Sequence, residues 1–382
     1  MNKSSLAVQQ GAKQNHHFSG SYAASDVNFL LKQVDIPFVG VAEKEKLIQS
    51  GAHYSSMLSH EKLPSERYMQ LFWEALTNNE VRLSQDIATL AVALAERMAE
   101  QIVLVSLARA GTPVGVLLHR ALKSMGCDSH HYSVSIIRDK GIDQVALDYI
   151  LAQGHKAEDI VFIDGWTGKG AIATELAKTI SEYNQSRNVQ IDAAMVVVAD
   201  LAGVAGLAAT SDDYLIPSAI LNGIVSGLVS RTVLNDKVVA EGDFHACYFY
   251  EEYKEQDLSR YFVDRLSPIV EKNLVWAIKL SNIQPFAWNE ATRQALKAKS
   301  DFFVERSMTV YGVEDRNRVK PGVGESTRAL LRRVPDCLIL RERGTADVAH
   351  LETLAQQNNV EVIVDSQLPY AAAVIIATLG DD

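Results

Sequence analysis

Asp164 begins a segment in which several residue types suited to phosphate chemistry stand together, Asp164-Gly165-Trp166-Thr167-Gly168-Lys169-Gly170. The apolar run before it, 160–163, is typical of a buried strand, and a helical pattern follows from about residue 171. Glycines let a backbone approach a ligand closely, and the free N–H groups and dipole at a helix start attract anions. Thr167 adds a hydroxyl donor, Lys169 a positive charge, and Asp164 an acceptor for ribose hydroxyls or hydrated Mg²⁺. The segment therefore predicts a phosphate site beside a polar sugar.

This segment matches neither of two common nucleotide-binding patterns. Gly165 and Lys169 stand too close for GxxxxGK[ST], Gly170 replaces the final hydroxyl residue, and the spacing of GxGxxG also fails. The alternative is a tight strand-to-helix turn whose glycines serve packing alone. An aspartate, a threonine and a lysine together exceed what such a turn requires, so we favour phosphate binding.

Two further turns carry basic residues after apolar runs. Arg109-Ala110-Gly111 follows the run 102–107, and Arg138-Asp139-Lys140 follows the run 132–137. Backbone N–H groups together with one guanidinium suit a diphosphate. Either turn alone could be an ordinary connection, but three phosphate-suited turns at successive strand ends support one another.

The elements that must position these turns alternate between strand and helix. Short apolar runs predict buried strands at 102–107, 132–137, 160–163, 194–199 and 213–216. Such alternation predicts an α/β fold with a doubly wound, mainly parallel sheet. Ligands of these sheets bind outside the carboxyl ends of the strands, where the three turns are expected.

With these turns in place, the region from about 100 to 235 resembles a type I phosphoribosyltransferase. In that family a strand ending in acids precedes a Thr-Gly loop that holds the 5-phosphate of phosphoribosyl diphosphate (PRPP), similar to Asp164 followed by Thr167-Gly168. Here Gly165 stands where the family usually has a second acid, and Gly170 replaces a terminal Thr or Ser. A protein that binds PRPP without turnover therefore stays open as an alternative.

The resemblance also implies roles for individual residues. A PRPP site would comprise Asp164, Gly165, Thr167, Gly168, Lys169, Gly170, Arg109, Ala110 and Gly111. Catalysis would depend on Asp164, on Arg109 of the pyrophosphate loop, and on Arg138 and Lys140 of a mobile loop. Mg²⁺ would enter bound to PRPP, without direct protein ligands. The nucleophile would enter near Asn222, Ser226 and Ser230-Arg231, a stretch that could equally be an amphipathic helix.

Outside this region the chain divides into two further units. Residues 1–98 predict a helical extension, with Ser25-Asp26 capping a helix over 27–31, and residues 99–300 hold the phosphoribosyltransferase-like domain. Residues 301–382 predict a small α/β/α domain. Its expected elements are a strand at 308–311, a helix at 324–333, a strand at 337–340, a helix at 348–358, a strand at 360–364 and a last helix from 369.

A basic stretch distinguishes this C-terminal domain from the rest of the chain. Between Arg316 and Arg343 there are eight basic and three acidic residues, in a protein of net charge −10. Such a stretch is typical of a protein that binds a phosphate backbone, although a solvated helix face is the alternative.

The segment Gly322-Val323-Gly324-Glu325-Ser326-Thr327-Arg328 resembles the helix start of Pelota-type RNA-binding domains, with Gly324 in place of the family's Asn. Nearly the whole chain resembles phosphoribosyltransferase-like proteins of tellurite-resistance and stress-response (Ter) gene clusters, which carry such a domain and are often labelled cysteine proteases. Segments that carry this likeness include 20–22, 53–55 and 225–232. The resemblance implies RNA contacts by Lys320, Gly322, Glu325, Thr327, Arg328 and Arg332, and a possible homodimer.

Cysteine content and charge exclude several other classes. Cys127, Cys247 and Cys337 lie far apart without CxxC spacing, which argues against a disulfide framework or a cysteine zinc site and fits a reducing cytoplasm. A cysteine peptidase needs a paired histidine; His245, two residues before Cys247, could supply one. No apolar run reaches about 18 residues, so no membrane span is expected.

The sequence therefore predicts a cytoplasmic enzyme that performs PRPP-dependent phosphoribosyl transfer, or reverse phosphorolysis, on a nucleotide-like compound in a stress response, coupled to RNA binding. The first alternative is a non-catalytic regulator that binds PRPP or a nucleotide and acts through RNA. A cysteine peptidase is the weaker alternative.

Overall fold

The computed structural model describes residues 17–98, 100–283, 286 and 288–377. The strands are β1 (Asn28–Leu30), β2 (Lys32–Gln33), β3 (Gln101–Ala108), β4 (Asp128–Ile137), β5 (Gly141–Ile142), β6 (Ile160–Thr167), β7 (Met195–Asp200), β8 (Leu207–Thr210), β9 (Ala246–Cys247), β10 (Val319–Pro321), β11 (Pro335–Leu340), β12 (Glu361–Val364) and β13 (Ala372–Ile376). The α-helices are α1 (Val41–Gln49), α2 (Glu66–Arg97), α3 (Thr112–Ser124), α4 (Gln144–Ala152), α5 (Ala171–Arg187), α6 (Ser259–Ile283), α7 (Glu290–Val310), α8 (Val323–Arg332) and α9 (Ala349–Gln357).

A seven-stranded sheet forms the centre of the molecule, in the order β1-β4-β3-β6-β7-β8, with β5 antiparallel to β4 at one end. Every other neighbouring pair is parallel. Side chains of β3 alternate between two cores: Leu104 packs on the side of α2, α3 and α6, whereas Val103 and Val105 pack on the side of α4 and α5. Because helices cover both faces, the strands can be continuously apolar. The predicted α/β fold with a doubly wound, mainly parallel sheet is confirmed.

The order of strands reverses between β3 and β6. The chain passes from β3 to β4 on one side and from β6 to β7 on the other, which leaves a crevice where β3 and β6 end. Gly111, just beyond β3, lies so close to β6 that a Cβ there would be 2.3 Å from the carbonyl oxygen of Ile163. Only glycine allows this approach, so the turn after β3 lies against the end of β6.

Near the N-terminus, the helix predicted over 27–31 is wrong. Asn28–Leu30 instead form β1, which pairs in parallel with β4 at the edge of the main sheet. Asp26 does not cap a helix; its carboxylate accepts two hydrogen bonds from Arg120 of α3, at 2.8 and 2.7 Å. This long-range ion pair and the pairing of β1 with the edge strand β4 favour an extended conformation over a helix here. Part of the helical extension predicted for residues 1–98 is present as one continuous helix, α2.

The C-terminal sheet has the order β10-β13-β11-β12. Residues 308–311, predicted as a strand, belong mostly to the last turns of α7, whose Phe303, Val304 and Ser307 face the interior. The segment predicted as a last helix from 369 contains β13, a central strand buried along its whole length. A short, fully apolar run fits a buried helix or a buried strand equally, and strand pairing decides here.

The strand predicted at 213–216 is also wrong, because β8 occupies Leu207–Thr210 and the chain then leaves the sheet. Asp213 joins the main sheet to the C-terminal unit instead. Its two carboxylate oxygens accept the backbone N–H groups of Val323 at 2.7 Å and of Ala371 at 2.9 Å. Burial raises the pKa of this carboxyl to about 6. The first turn of α8 is thereby fixed next to the carboxyl edge of the main sheet.

No helix within the described ranges combines the length and the apolar character needed to cross a bilayer.

Replacing Asp213 by Asn should lower the free energy of unfolding by about 2 kcal/mol, because one buried N–H loses its acceptor and faces an amide donor. Denaturant unfolding measures this change. Asp212→Asn is the matched control: Asp212 is exposed and pairs with Arg82 at the surface, so its loss should cost less than about 1 kcal/mol. Equal effects of the two substitutions would contradict the role given to Asp213.

Candidate functional site

The glycine-rich segment is shorter than predicted, because β6 continues through Thr167, which pairs with Asp200 of β7. Only Gly168-Lys169-Gly170 lie between β6 and α5, and we call these three residues the free turn. Gly170 has φ of 84° directly before α5. Asp164 lies on the strand, where a carboxylate oxygen accepts the N–H of Gly165 at 2.8 Å. Burial raises the pKa of Asp164 to about 6, although Arg328 lies near enough to lower it.

Thr167 is a positioning residue. Its hydroxyl donates to the carboxylate of Asp200, which is fully buried. Asp200 also accepts the N–H groups of the turn beyond β7, from Ala202 and Gly203 at 2.9 Å and from Ala205 at 2.8 Å. This network ties the ends of β6 and β7 together. The hydroxyl proton that was predicted to face a phosphate is therefore used inside the protein.

Lys169 extends from the free turn towards the C-terminal unit. Its ammonium group donates to the carbonyl oxygen of Arg316. Burial and the nearby charge of Lys320 lower the pKa of Lys169 to about 8, against the opposing effect of Glu325. Lys169 is half-buried, and a partly desolvated cation is favourable for binding an anion, because the anion replaces the lost hydration.

A cavity of about 170 Å³ opens above this turn, at the crevice between β3 and β6. It is lined on one side by the main domain and on the other by the C-terminal unit. Its charged lining residues are four cations and two carboxylates: Arg138, Lys169, Lys320, Arg328, Asp164 and Glu325. Ala110 and the turn residues Gly168 and Gly170, which offer backbone polar groups, also line the cavity. The excess of positive charge favours an anionic ligand.

The structure separates the residues predicted for the diphosphate. Ala110 and Arg138 line the cavity, but Arg109 does not. The guanidinium of Arg109 donates to the carbonyl oxygen of Val229 at 2.9 Å and to the carboxylate of Glu61. The peptide bond between Ala108 and Arg109 is cis. Lys140 is exposed beside Arg138 and is not among the residues that line the cavity.

Glu61 is a site residue that the sequence did not indicate. Besides pairing with Arg109, it accepts the N–H of Gly223 at 3.2 Å. It also lines a second cavity of about 280 Å³, whose walls include Asn222 and, from α8, Leu331. Glu61 stands in a loop without periodicity, so only its contacts identify it. Asn222, predicted near the nucleophile, lies in this second cavity; Ser226 and Ser230 are buried and Arg231 donates to the carbonyl oxygen of Met57 at 2.6 Å.

The residues predicted for RNA contact divide into two groups. Lys320, Glu325 and Arg328 line the anion cavity, and the guanidinium of Arg328 lies 4.4 Å from the ring centroid of Trp166. Gly322 and Thr327 are buried. A Cβ on Gly322 would be 2.5 Å from Leu201, and the buried hydroxyl of Thr327 donates to the Val323 carbonyl. Arg332 ends α8, and its side chain lies outside the described part of the structure.

Neither Cys247 nor Cys337 has the features of a nucleophilic thiol. Cys247 is fully buried, and burial raises the pKa of its thiol to about 12. Burial also raises the pKa of Cys337 to about 11. His245, the predicted partner of Cys247, forms its ring hydrogen bond with Ser135 at 2.9 Å. A thiol of this kind is inert, because the thiolate is the reactive species.

The fold and the cavity define an α/β protein with a positively charged cavity at the switch point of its parallel sheet. Residues 20–267 match the family described as tellurite-like stress resistance cysteine protease StiP, and residues 298–378 match the PELOTA RNA binding domain. The chain is 42% identical to a cysteine protease StiP from Acinetobacter baylyi (strain ATCC 33305 / BD413 / ADP1) over 386 residues, covering 98% of this chain and 97% of that relative. The chain therefore belongs to the StiP family and carries a C-terminal Pelota domain.

Solved structures similar to this chain include hypoxanthine phosphoribosyltransferases. One from Trypanosoma cruzi, in complex with the product IMP, is 14% identical, covers 47% of this chain and 92% of that chain, and has a TM-score of 0.26. An alanine mutant from a study of an invariant aspartic acid in these enzymes is 14% identical, covers 46% of this chain and 94% of that chain, and has a TM-score of 0.26. Likenesses at this level carry no argument about function.

Binding of an anion in this cavity should weaken between pH 7 and 9. Lys169 has a pKa of about 8, so its positive charge is present below pH 8 and is lost above it. We expect the affinity for sulfate, whose charge is constant over this range, to fall by up to about tenfold. Calorimetric titration at several pH values measures this.

Lys169→Arg is the control for the pH profile, since an arginine stays charged throughout. Its profile should be flat. A sulfate affinity that does not change with pH in the unmodified protein would contradict the assignment of Lys169 to the site.

Proposed function

We propose that this protein binds PRPP in the anion cavity and transfers its phosphoribosyl group to a nucleotide-like acceptor, or catalyses the reverse reaction. One observation carries the proposal: four cations surround a strand-end carboxylate and a free glycine turn at the switch point of the sheet. The resemblance of Asp164 and Thr167-Gly168 to the phosphoribosyltransferase signature supports the same ligand. A ligand with phosphates at both ends of a ribose matches this distribution of charge.

The ligand would lie with its 5-phosphate on the turn from Gly168 to Gly170, where backbone N–H groups precede α5. The ribose would lie beside Asp164, and the diphosphate would extend to Ala110 and Arg138 at the ends of β3 and β4. Neighbouring parallel strands lie about 5 Å apart, so the ends of β6, β3 and β4 span about 10 Å, the length of a ribose with its phosphates. This orientation uses all three predicted turns.

In the forward reaction an electron pair of the acceptor forms a bond to C1 of the ribose, while the bond from C1 to the diphosphate oxygen breaks. The diphosphate leaves with that electron pair, and the acceptor releases a proton to solvent. Positive charge develops on the ribose ring, and a carboxylate beside it lowers the barrier. With a pKa of about 6, Asp164 is mostly ionised at pH 7 and can supply that charge.

Mg²⁺ fits this site as a partner of the diphosphate, whose negative charge it would neutralise. Asp164 and Glu325 are the carboxylates that line the cavity, and oxygen donors of this kind suit a hydrated Mg²⁺. Among the described residues there is no group of three or more His, Cys, Asp or Glu side chains that could hold a metal ion. We propose, as the phosphoribosyltransferase resemblance implies, that the ion binds mainly through the oxygens of the ligand.

The hydrogen bonds of Arg109 within the protein favour a second candidate function, which is to bind PRPP or a nucleotide without turnover. Its guanidinium is held by Glu61 and by the Val229 carbonyl, so it is not positioned to stabilise a leaving diphosphate. A regulator needs only the residues that bind the ligand and none that stabilise a leaving diphosphate. Release of pyrophosphate from PRPP in the presence of candidate acceptors separates the two functions, because a regulator releases none.

PRPP with Mg²⁺ should bind with a single saturable site in calorimetric titration. Asp164→Asn and Lys169→Ala should each weaken binding by at least about tenfold, since each removes a charge from the site. Lys178→Ala is the matched control, because Lys178 is exposed on α5. Absence of binding at millimolar PRPP, or equal affinities of all variants, would overturn the proposal.

We also propose that the Pelota domain binds RNA, in the cytoplasm, where three free thiols remain reduced. Lys320 and Arg328 line the cavity, so other basic residues must form the exposed surface that contacts RNA. Arg333, Arg341 and Arg343 are exposed. Arg341 and Arg343 follow β11, which lies between β13 and β12 in the C-terminal sheet. Arg343 donates to the carbonyl oxygen of Val362 at 3.1 Å, and both side chains are exposed at the carboxyl end of the strand, where they would contact a phosphate backbone.

Replacing Arg341 and Arg343 together by Ala should weaken binding of a fluorescein-labelled hairpin RNA of about 20 nucleotides several-fold. The slope of log affinity against log salt should fall by about 2, because two phosphate contacts are lost. Fluorescence anisotropy at several salt concentrations measures both. Lys272→Ala, on the exposed side of α6, is the control; an unchanged salt slope in the double variant would place the RNA elsewhere.

A further inference from the structure

The C-terminal unit forms one wall of the anion cavity. Lys320, the middle residue of β10, and Glu325 and Arg328 of α8 all line it. These are the residues that the Pelota resemblance implies for RNA. In the structure, however, they line the same cavity as Gly168, Lys169 and Gly170 of the main domain. That turn is expected to bind a 5-phosphate.

Several specific contacts fix this wall. Asp213 holds the N–H of Val323 at the start of α8. Arg328 stacks on Trp166, the residue between Asp164 and the free turn, with 4.4 Å from its guanidinium carbon to the ring centroid. A Cβ on Gly168 would lie 3.3 Å from the side chain of Glu325. The turn and α8 therefore meet at van der Waals distance, and a glycine at 168 makes room for the carboxylate.

Two of the three charged side chains on this wall, those of Lys320 and Arg328, are cations, and that of Glu325 is a carboxylate. Burial lowers the pKa of Lys320, and Arg333 and Arg138 lower it further, while Glu325 opposes them. Lys169 is affected in the same way by burial and by Lys320. Glu325 is the one carboxylate of α8 that lines the cavity, and it lies 3.7 Å from Arg328. Three cations that converge on one glycine turn gain free energy when an anion joins them.

We propose that Lys320 and Arg328 are binding residues for the 5-phosphate of the ligand, so that the PRPP site is complete only when the C-terminal unit is docked on the main domain. This inference rests on the proposed function and adds two residues from a different unit. The ligand class is a sugar 5-phosphate: the turn 168–170 contacts the phosphate from below, and Lys320 and Arg328 contact it from the opposite side.

The test is calorimetric titration of the full-length protein with ribose 5-phosphate, with pyrophosphate and with PRPP plus Mg²⁺. Lys320→Ala and Arg328→Ala should each weaken ribose 5-phosphate and PRPP by about tenfold, as expected for a lost charge-assisted contact. Pyrophosphate, which would occupy the end near Arg138, should be affected less than about threefold. Lys299→Ala, an exposed lysine of α7 within the Pelota match, should change none of the three.

Arg328→Ala also removes the stack on Trp166, so a loss of binding could reflect altered packing. Arg328→Lys keeps the charge and should retain ribose 5-phosphate affinity within about threefold, and thermal unfolding should show both variants folded. If Arg328→Lys loses as much affinity as Arg328→Ala, a direct charge contact is wrong.

The outcomes separate this inference from the proposed function. Unchanged ribose 5-phosphate affinity in Lys320→Ala and Arg328→Ala, together with weakened affinity in Lys169→Ala, would overturn the inference and leave the PRPP site in the main domain. No binding of ribose 5-phosphate or PRPP to the unmodified protein would overturn both.

Discussion

One carboxylate, that of Asp213, holds the C-terminal unit against the carboxyl edge of the main sheet. It accepts N–H groups from Val323 and Ala371, and so fixes both the first turn of α8 and the chain that leads into β13. Buried backbone donors require acceptors, and no strand or helix supplies one at these two positions. The contact of Arg328 with Trp166 and the hydrogen bond from Lys169 to the carbonyl oxygen of Arg316 join the same two parts of the protein. Together with the contacts of Asp213, they place Lys320 and Arg328 at the cavity.

The site depends on an imbalance of charge that the fold imposes. Parallel strands bring their carboxyl ends to one edge, and the switch point leaves a crevice there. Arg138 and Lys169 come from the main sheet, and Lys320 and Arg328 from the second unit. Four cations and two carboxylates line the cavity, and the proposed anionic ligand would complement this excess of positive charge. A thiol mechanism has no such support, because the buried Cys247 lacks a histidine partner.

The pattern of apolar runs predicted the main sheet and the turns that line one side of the cavity. Runs such as 102–107 are buried on both faces of the sheet, and the strands that they form end at the same edge. It could not predict partners that lie far away in the chain. Thr167 donates to Asp200, and Arg109 pairs with Glu61, so two residues expected to touch the ligand act within the protein. Residues 308–311 have strand-forming types but continue α7, because the face of that helix packs on the C-terminal sheet. The contact between α8 and the main sheet has no local sequence signal, because it joins residues far apart in the chain, such as Asp213 and Val323.

Hydrogen exchange of the full-length protein, with and without PRPP and Mg²⁺, tests the central claim most directly. If the ligand is held between the two units, amides of 164–173 and of 319–328 should both exchange more slowly when PRPP is bound, and the same segments should respond to ribose 5-phosphate. Protection of neither segment would contradict a phosphoribosyl site at the switch point. Protection of 164–173 alone would keep that site and contradict the part assigned to the C-terminal unit.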